Sequence, residues 1–247
     1  MSRAEISAQQ LRELTDLGVD YWWFRVRLLQ VEACLRAFAP VHAVEYLDLG
    51  CGTGRTTQAI VERLRPARAL AVDGTDSALA EAAARGLPVL YANLREPLEL
   101  PFRPNVITAL DVLEHVEDDA ELLSRLAAAA SADALLILTV PALPSLYSRW
   151  DELSGHHRRY RRAPLRALLA ANGWSPLRVR FFFSYGALPA WIQRRVLRRV
   201  QEFEFPRVTP WMNALLTTLG RIELGLGNAL PFGTSLIAVA RRSRAHA

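Results

Sequence analysis

Three alternating glycines, Gly50, Gly52 and Gly54, follow directly behind Asp48 and Leu49. Glycine has no Cβ, so such a turn can bring backbone N–H groups against a ligand. A dinucleotide site spaces its glycines Gly-x-Gly-x-x-Gly to cradle a pyrophosphate. Here the third glycine comes one residue early, and Arg55 stands where that pattern has it. Asp48, just before the turn, would repel phosphate. Both departures favour a ligand with a positive centre and no phosphate.

A second constellation runs from Val140 to Asp151 and on through Gly155-His156-His157-Arg158-Arg159-Tyr160. Asp151 and His156 are five residues apart, a spacing at which a turn can join carboxylate to imidazole. Histidine suits proton removal because its pKa lies near neutrality. His156, oriented by Asp151, is therefore the first candidate base, and His115 is the second. Tyr147, Arg159 and Tyr160 are candidates for gripping an acidic or sugar-like acceptor. A structural reading stands beside each: His156 could cap the loop, and Arg159 could pair with Asp151 only to hold it. No zinc-type Cys/His spacing is present, and Asp-His-His within this loop falls short of a ligand set, so no metal is expected.

The elements that must position these residues alternate in type. Ala43 to Leu49 reads as a buried strand and Arg55 to Leu64 as a helix. Further strands are expected at 69–73, 89–93, from Asn105 into a loop ending near Val116, at 135–140 before Pro141, at 175–183 and at 235–240. Asp76 is expected to cap a helix, and a helix from Pro164 to Asn172 should stop at Gly173. Ligands of an open parallel sheet bind beyond the carboxyl ends of its strands. That places Gly50–Gly54, Asp73, Asn93, Asp111 and the Pro141 loop around one crevice. Residues 1–40 form a helical cap whose aromatic run, Tyr21-Trp22-Trp23-Phe24, is too dense for one helix face, so Tyr21 and Trp22 are candidates to line the acceptor side. The core is expected over 41–183. An insertion over 184–233 carries a basic amphipathic helix near 191–199, and the last strand lies within 234–242.

The 247 residues carry a net charge of +5 and no lysine, so all 30 basic residues are arginine. Schiff-base chemistry through a protein lysine is thereby excluded. The two cysteines, Cys34 and Cys51, suit a reducing cytoplasm rather than a disulfide framework. No secretory signal is expected. The arginine pairs fall late in the chain and suit an anionic acceptor, a lipid-linked one or peripheral contact with a membrane. No nucleic-acid module is recognisable, so no nucleic-acid partner is expected. No stretch is long and uncharged enough to span a bilayer.

The run Leu47 to Gly54 resembles the first motif of the class I S-adenosylmethionine (SAM) methyltransferases. Ala69 to Asp73, Val89 to Asn93 and Asn105 to Val116 match the family's later segments in order. The Tyr-Trp-Trp-Phe run, the Pro-rich loop and Gly155-His156-His157-Arg158-Arg159-Tyr160 look like a bacterial small-molecule branch. The resemblance implies one methyltransferase domain: a doubly wound α/β, Rossmann-like sheet of seven strands in the order 3-2-1-4-5-7-6, with helical lid additions. It implies SAM as cofactor, Asp73 on the ribose hydroxyls, and Asn93 with the Leu94 backbone at the adenine edge. Asp48 would balance the positive end, and Arg27 would reach the methionine carboxylate. Asp111 and the glycines complete the cofactor set. The expected activity is methyl transfer to a small-molecule hydroxyl oxygen. Carbon methylation of an anionic isoprenoid diphosphate and a non-catalytic SAM-binding subunit are the alternatives. Acceptor and oligomeric state are left open.

Overall fold

The computed structural model describes residues 20–40, 43–192, 207–227 and 230–243. In chain order they form α1 (Trp22–Phe38), β1 (Glu45–Leu49), α2 (Arg55–Leu64), β2 (Arg68–Asp73), α3 (Asp76–Ala84), β3 (Val89–Tyr91) and β4 (Val106–Leu110). There follow α4 (Asp119–Ala129), β5 (Leu135–Pro141), α5 (Arg149–Leu153), α6 (Arg162–Ala171), β6 (Trp174–Phe182), α7 (Ala187–Trp191), α8 (Pro210–Leu226) and β7 (Ser235–Arg242). The expected helix ahead of residue 20 and most of the basic helix near 191–199 lie outside the described residues.

The strands build one sheet in the order β3-β2-β1-β4-β5-β7-β6, as the resemblance implied. β1 to β5 pair in parallel, while β7 is antiparallel to both β5 and β6. Parallel strands covered on both faces read as continuous apolar runs, and every residue of β5 is buried. Its side chains still alternate. Leu136, Leu138 and Val140 join a cluster with Leu122, Leu126 and Leu165 from α4 and α6. Leu135 and Ile137 join Val26 and Val31 of α1 on the other face.

Three local expectations are corrected. Thr75, not Asp76, is the N-cap of α3, and Asp76 is the first helical residue. α6 begins at Arg162, because Pro164 sits in the first turn, where its missing N–H has no helical partner to lose. Pro141 does not stop β5 short: it pairs with Ser235 as the last residue of the strand. Its carbonyl accepts from Tyr160 N at 2.8 Å, and Leu143 N donates to Tyr160 O at 3.1 Å. These bonds close residues 142–160 into an excursion whose two ends meet at the tip of β5.

α1 is fixed from the far end of the chain. Asn213 of α8 accepts from Trp22 N at 2.7 Å and donates to Asp20 O at 2.9 Å. Gly220 is where the two helices touch, since a Cβ there would run into the Val26 side chain. Buried Glu223 of α8 accepts from the N–H groups of Phe183 and Ser184 at 2.8 and 2.7 Å, pinning the chain as it leaves β6. Cys34 and Cys51 are both free and buried. Among the described residues, no helix is long and apolar enough to cross a membrane.

Candidate functional site

The glycine turn joins β1 to α2 with Gly50, Gly52 and Gly54 all at positive φ, between 53° and 74°. L side chains rarely adopt that conformation. Two of the three also have no room for a side chain. A Cβ at Gly50 would lie 2.5 Å from Val112, and one at Gly54 would lie 2.8 Å from Ala82. Gly52 has nothing within 4 Å of its Cβ position. The turn thus packs onto the protein at both ends and presents its middle to open space.

Asp73, at the end of β2, braces that middle. Its Oδ2 accepts from Gly52 N at 2.9 Å and its Oδ1 from Thr75 N at 3.0 Å. A carboxylate oxygen has more than one acceptor site, so Asp73 retains capacity for two hydroxyls. Burial raises its pKa, and the backbone donors oppose that shift. Asp48 lies deeper, in β1. Thr57 donates to its Oδ2 and Thr108 to its Oδ1, both at 2.5 Å. Burial nevertheless raises its carboxyl from 3.8 to about 6. Both oxygens are engaged inside the protein, so Asp48 acts on the crevice through the turn it supports.

Arg27 of α1 donates to Asp111 Oδ2 at 2.6 Å and reaches Thr56 Oγ1 at 3.4 Å. Its guanidinium lies over Trp23, 4.6 Å from the ring centroid, and its Nε is buried without a hydrogen-bond partner. Asp111 adopts a positive φ of 57° at the tip of β4, a conformation that aspartate tolerates better than most residues. Asn93 is tied into a local turn: its amide donates to Glu96 at 2.7 Å and accepts from Arg95 N at 3.1 Å. Leu94 packs against the main core, and its carbonyl accepts from Arg125.

The 142–160 excursion does bring Asp151 and His156 together. His156 Nδ1 lies 3.1 Å from Asp151 Oδ1, and the same oxygen accepts from Arg159 Nε at 2.7 Å. Arg159 also donates to Ala142 O at 3.1 Å. It is buried and engaged within the loop, so the structural pairing with Asp151 is the one found. Tyr147 donates to the backbone of His156 at 2.9 Å, bracing the histidine. Tyr160 is turned into the core, where its hydroxyl donates to Asp119 at 2.7 Å; this corrects its expected place on an acceptor. Tyr21 is likewise buried, against Trp22 and Phe24. Trp22 packs edge-on to Phe183 at 5.4 Å, and its indole N–H is buried without a hydrogen-bond partner.

His115 closes the group, its ring 4.8 Å from that of His156 and nearly perpendicular. Burial and the neighbouring His156 lower its pKa to about 3, against the Gly155 backbone, which accepts from the ring. His115 is therefore a neutral imidazole. Beside it stands a residue the sequence reading passed over. Glu114 is 1% exposed, and neither of its carboxyl oxygens has a hydrogen-bond partner. Burial and the Asp111 charge hold its carboxyl well above the usual carboxylate range. His156 Nε2 lies 4.0 Å from Glu114 Oε1. The signal was present in sequence as an acid flanked by Leu113 and His115, inside what reads as a strand and its loop. It lies on a single 3-10 turn, Leu113–His115, that buries Glu114 just past the tip of β4.

Residues 22–179 match a sequence family described as a methyltransferase domain. A trans-aconitate 2-methyltransferase of Methylobacterium nodulans is 33% identical over 177 residues, covering 69% of this chain and 65% of that protein. The chain thus spans a little under two thirds of that relative's length. A chain from the complex between the Haloferax volcanii Trm112 methyltransferase activator and a methyltransferase superposes with a TM-score of 0.65 at 15% identity, covering 100% of both chains. The plantazolicin methyltransferase BpumL, solved with SAH, superposes with a TM-score of 0.60 at 15% identity, covering 97% of this chain and 92% of that one. At such identities the superpositions establish the fold.

Proposed function

The chain belongs to the methyltransferase-domain family, and on that premise we propose that it moves a methyl group from SAM to a hydroxyl oxygen of a small-molecule acceptor. The residues fit the cofactor on three counts. Gly52 is the one glycine of the turn facing open space. Asp73 keeps acceptor capacity for a ribose diol. Arg27 keeps a buried, unpartnered Nε for a carboxylate. When bound, SAM supplies an electrophilic methyl carbon whose departure from sulfur needs alignment more than activation.

The observation that carries the acceptor reading is the Asp151–His156 pair. Asp151, paired with Arg159, can only accept from the imidazole, so Nδ1 carries the proton and Nε2 carries the lone pair. In this reading that lone pair receives the acceptor's hydroxyl proton. An acid acceptor, such as the one in the name of the Methylobacterium relative, would bring no such proton at neutral pH. Among the described residues, the buried guanidiniums of Arg27 and Arg159 already hold Asp111 and Asp151, and in this reading the free Arg27 Nε is taken by the cofactor's carboxylate. The same engagement weighs against an isoprenoid diphosphate. In this reading α8, packed against α1, covers the acceptor side; residues 193–206 and 228–229 of the expected lid lie outside the described residues.

The test offers the purified chain matched acceptors, each as the free hydroxyl and as its methyl ether, with methyl-labelled SAM. Label should enter the hydroxyl compounds only. Label on carbon, or equal labelling of both members of a pair, would overturn the oxygen assignment.

A further inference from the structure

Three carboxyl groups and two guanidiniums meet between the tips of β4 and β5. Arg27 takes Asp111 at 2.6 Å and Arg159 takes Asp151 at 2.7 Å. Glu114 is left without a guanidinium of its own, and both its oxygens are buried without a hydrogen-bond partner. A buried polar group with no partner costs on the order of 1–3 kcal/mol, more when charged. The imidazoles of His115 and His156 stand close to it. One donor atom from each of Glu114, His115 and His156 falls within a set spanning 4.8 Å.

We propose that Glu114, His115 and His156 form a three-ligand site for a divalent first-row transition ion, with the acceptor's hydroxyl oxygen in the open position. Ligand bonds of about 2.0–2.2 Å put two donors of one ion roughly 3–4 Å apart. The 4.0 Å between His156 Nε2 and Glu114 Oε1 already lies at the edge of that range. The surrounding contacts are those of ligands. A metal-bound histidine normally gives its other ring nitrogen to a carboxylate or a carbonyl, which fixes ring and tautomer. His156 gives Nδ1 to Asp151, which Arg159 and the Ser148 N–H hold in turn. Two imidazoles and one carboxylate suit zinc, cobalt, manganese or iron better than magnesium or calcium, which prefer oxygen ligands. A site with three protein ligands keeps a fourth position for a reacting oxygen. The sequence reading missed this set because it counted ligands within the 151–157 loop, whereas two of the three come from the tip of β4.

The inference rests on the hydroxyl reading and alters one step of it. With the ion bound, the His156 lone pair is a ligand. The acceptor hydroxyl binds the ion, which lowers its pKa, and its proton passes to water. The alkoxide oxygen then forms its bond to the methyl carbon as the carbon–sulfur bond breaks. That bonding pair stays on sulfur, leaving a neutral thioether. The ion does not change oxidation state.

The chelator-treated full chain should be titrated with cobalt(II) and followed by its visible d–d absorption. One ion should bind per chain and be displaced by zinc. Glu114→Gln and His115→Ala should abolish the bands. Asp151→Asn should weaken cobalt binding roughly 10–100-fold, and His157→Ala, an exposed neighbour, should leave it unchanged. Binding of S-adenosylhomocysteine by each variant confirms that it has folded. If a ligand variant fails to fold, displacement of cobalt by zinc and the Asp151→Asn series carry the test on folded protein. Absence of d–d bands in the wild type, or binding indifferent to Glu114→Gln and His115→Ala, overturns the site. Cobalt binding without methylation of any hydroxyl acceptor leaves the site standing and the hydroxyl reading overturned. Full hydroxyl methylation by chelated protein that binds no cobalt does the reverse.

Discussion

Asp48 and Glu114 are both buried carboxyl groups, one on β1 and one just past the tip of the adjacent β4, yet their surroundings differ in kind. Each Asp48 oxygen receives a threonine hydroxyl at 2.5 Å. Neither Glu114 oxygen receives a hydrogen bond. Around Asp48 the turn, Asp73 and Thr75 interlock through short bonds between residues 48 and 75. Around Glu114 the groups arrive from two excursions about forty positions apart. Around the glycine turn the carboxyl groups are thus satisfied by the protein, and the unpartnered atom there is the Arg27 Nε. The acceptor half holds unsatisfied groups at close quarters, as sites of chemistry do when polar atoms are kept for a ligand or a reacting atom.

The comparison breaks most easily at His156. Its replacement by alanine should lower turnover roughly 10²–10⁴-fold. Calorimetry with S-adenosylhomocysteine should show unchanged affinity, because the cradle lies elsewhere. A parallel loss of cofactor affinity would mean that the two halves are one unit. Next in size, Asp73→Ala should weaken S-adenosylhomocysteine binding by about 2–3 kcal/mol, through two charge-assisted bonds. Unchanged affinity in a folded variant would remove Asp73 from the cofactor set.

Asp48→Asn probes the satisfied carboxyl through stability. The folded chain holds the Asp48 proton up to about pH 6, while the unfolded chain releases it near 3.8. Between those values the folded state binds more protons, so this group's contribution to stability falls as pH rises and is lowest above pH 6. Asparagine removes that dependence. It should stabilise the chain by about 3 kcal/mol at pH 7.5 and by little near pH 4, as urea titrations at the two pH values would show. A variant equally destabilised at both would show that the threonine bonds outweigh burial. The smallest effect is expected at Gly52→Ala: about 1 kcal/mol of stability lost to its positive φ. Its loss of S-adenosylhomocysteine affinity should be larger. Gly54→Ala should reverse that ranking, because its Cβ meets Ala82.

The cradle was legible in sequence because it is local. Glycine spacing, a preceding aspartate and an acid closing the next strand all fall within thirty residues, and strand periodicity places them. Sheet order came from family resemblance, since pattern alone says nothing of which strands are neighbours. In the acceptor half the Asp151–His156 contact was legible for the same local reason. The Arg27–Asp111 pair was not, because it spans 84 positions. Glu114 was hidden because a single 3-10 turn buries it beside Leu113, where a polar residue in a loop reads as exposed. Tyr160 was misjudged because a polar tip on a loop looks solvent-bound until its partner, Asp119, is placed beside it, whereas the Arg159–Asp151 pairing was one of the two readings the sequence offered.

The bond from Trp22 to Asn213 ties together positions 191 apart. On the ribosome, Asn213 follows Trp22 after roughly 10–40 s of synthesis at bacterial rates. Through that interval α1 has no α8 to dock against, and the face carrying Val26 lacks its Gly220 contact. The α1 face around Val26 therefore lacks part of its cover until α8 has been made. A nascent-chain crosslinking profile should find chaperones concentrated on residues 21–31 until the codons for α8 have been read.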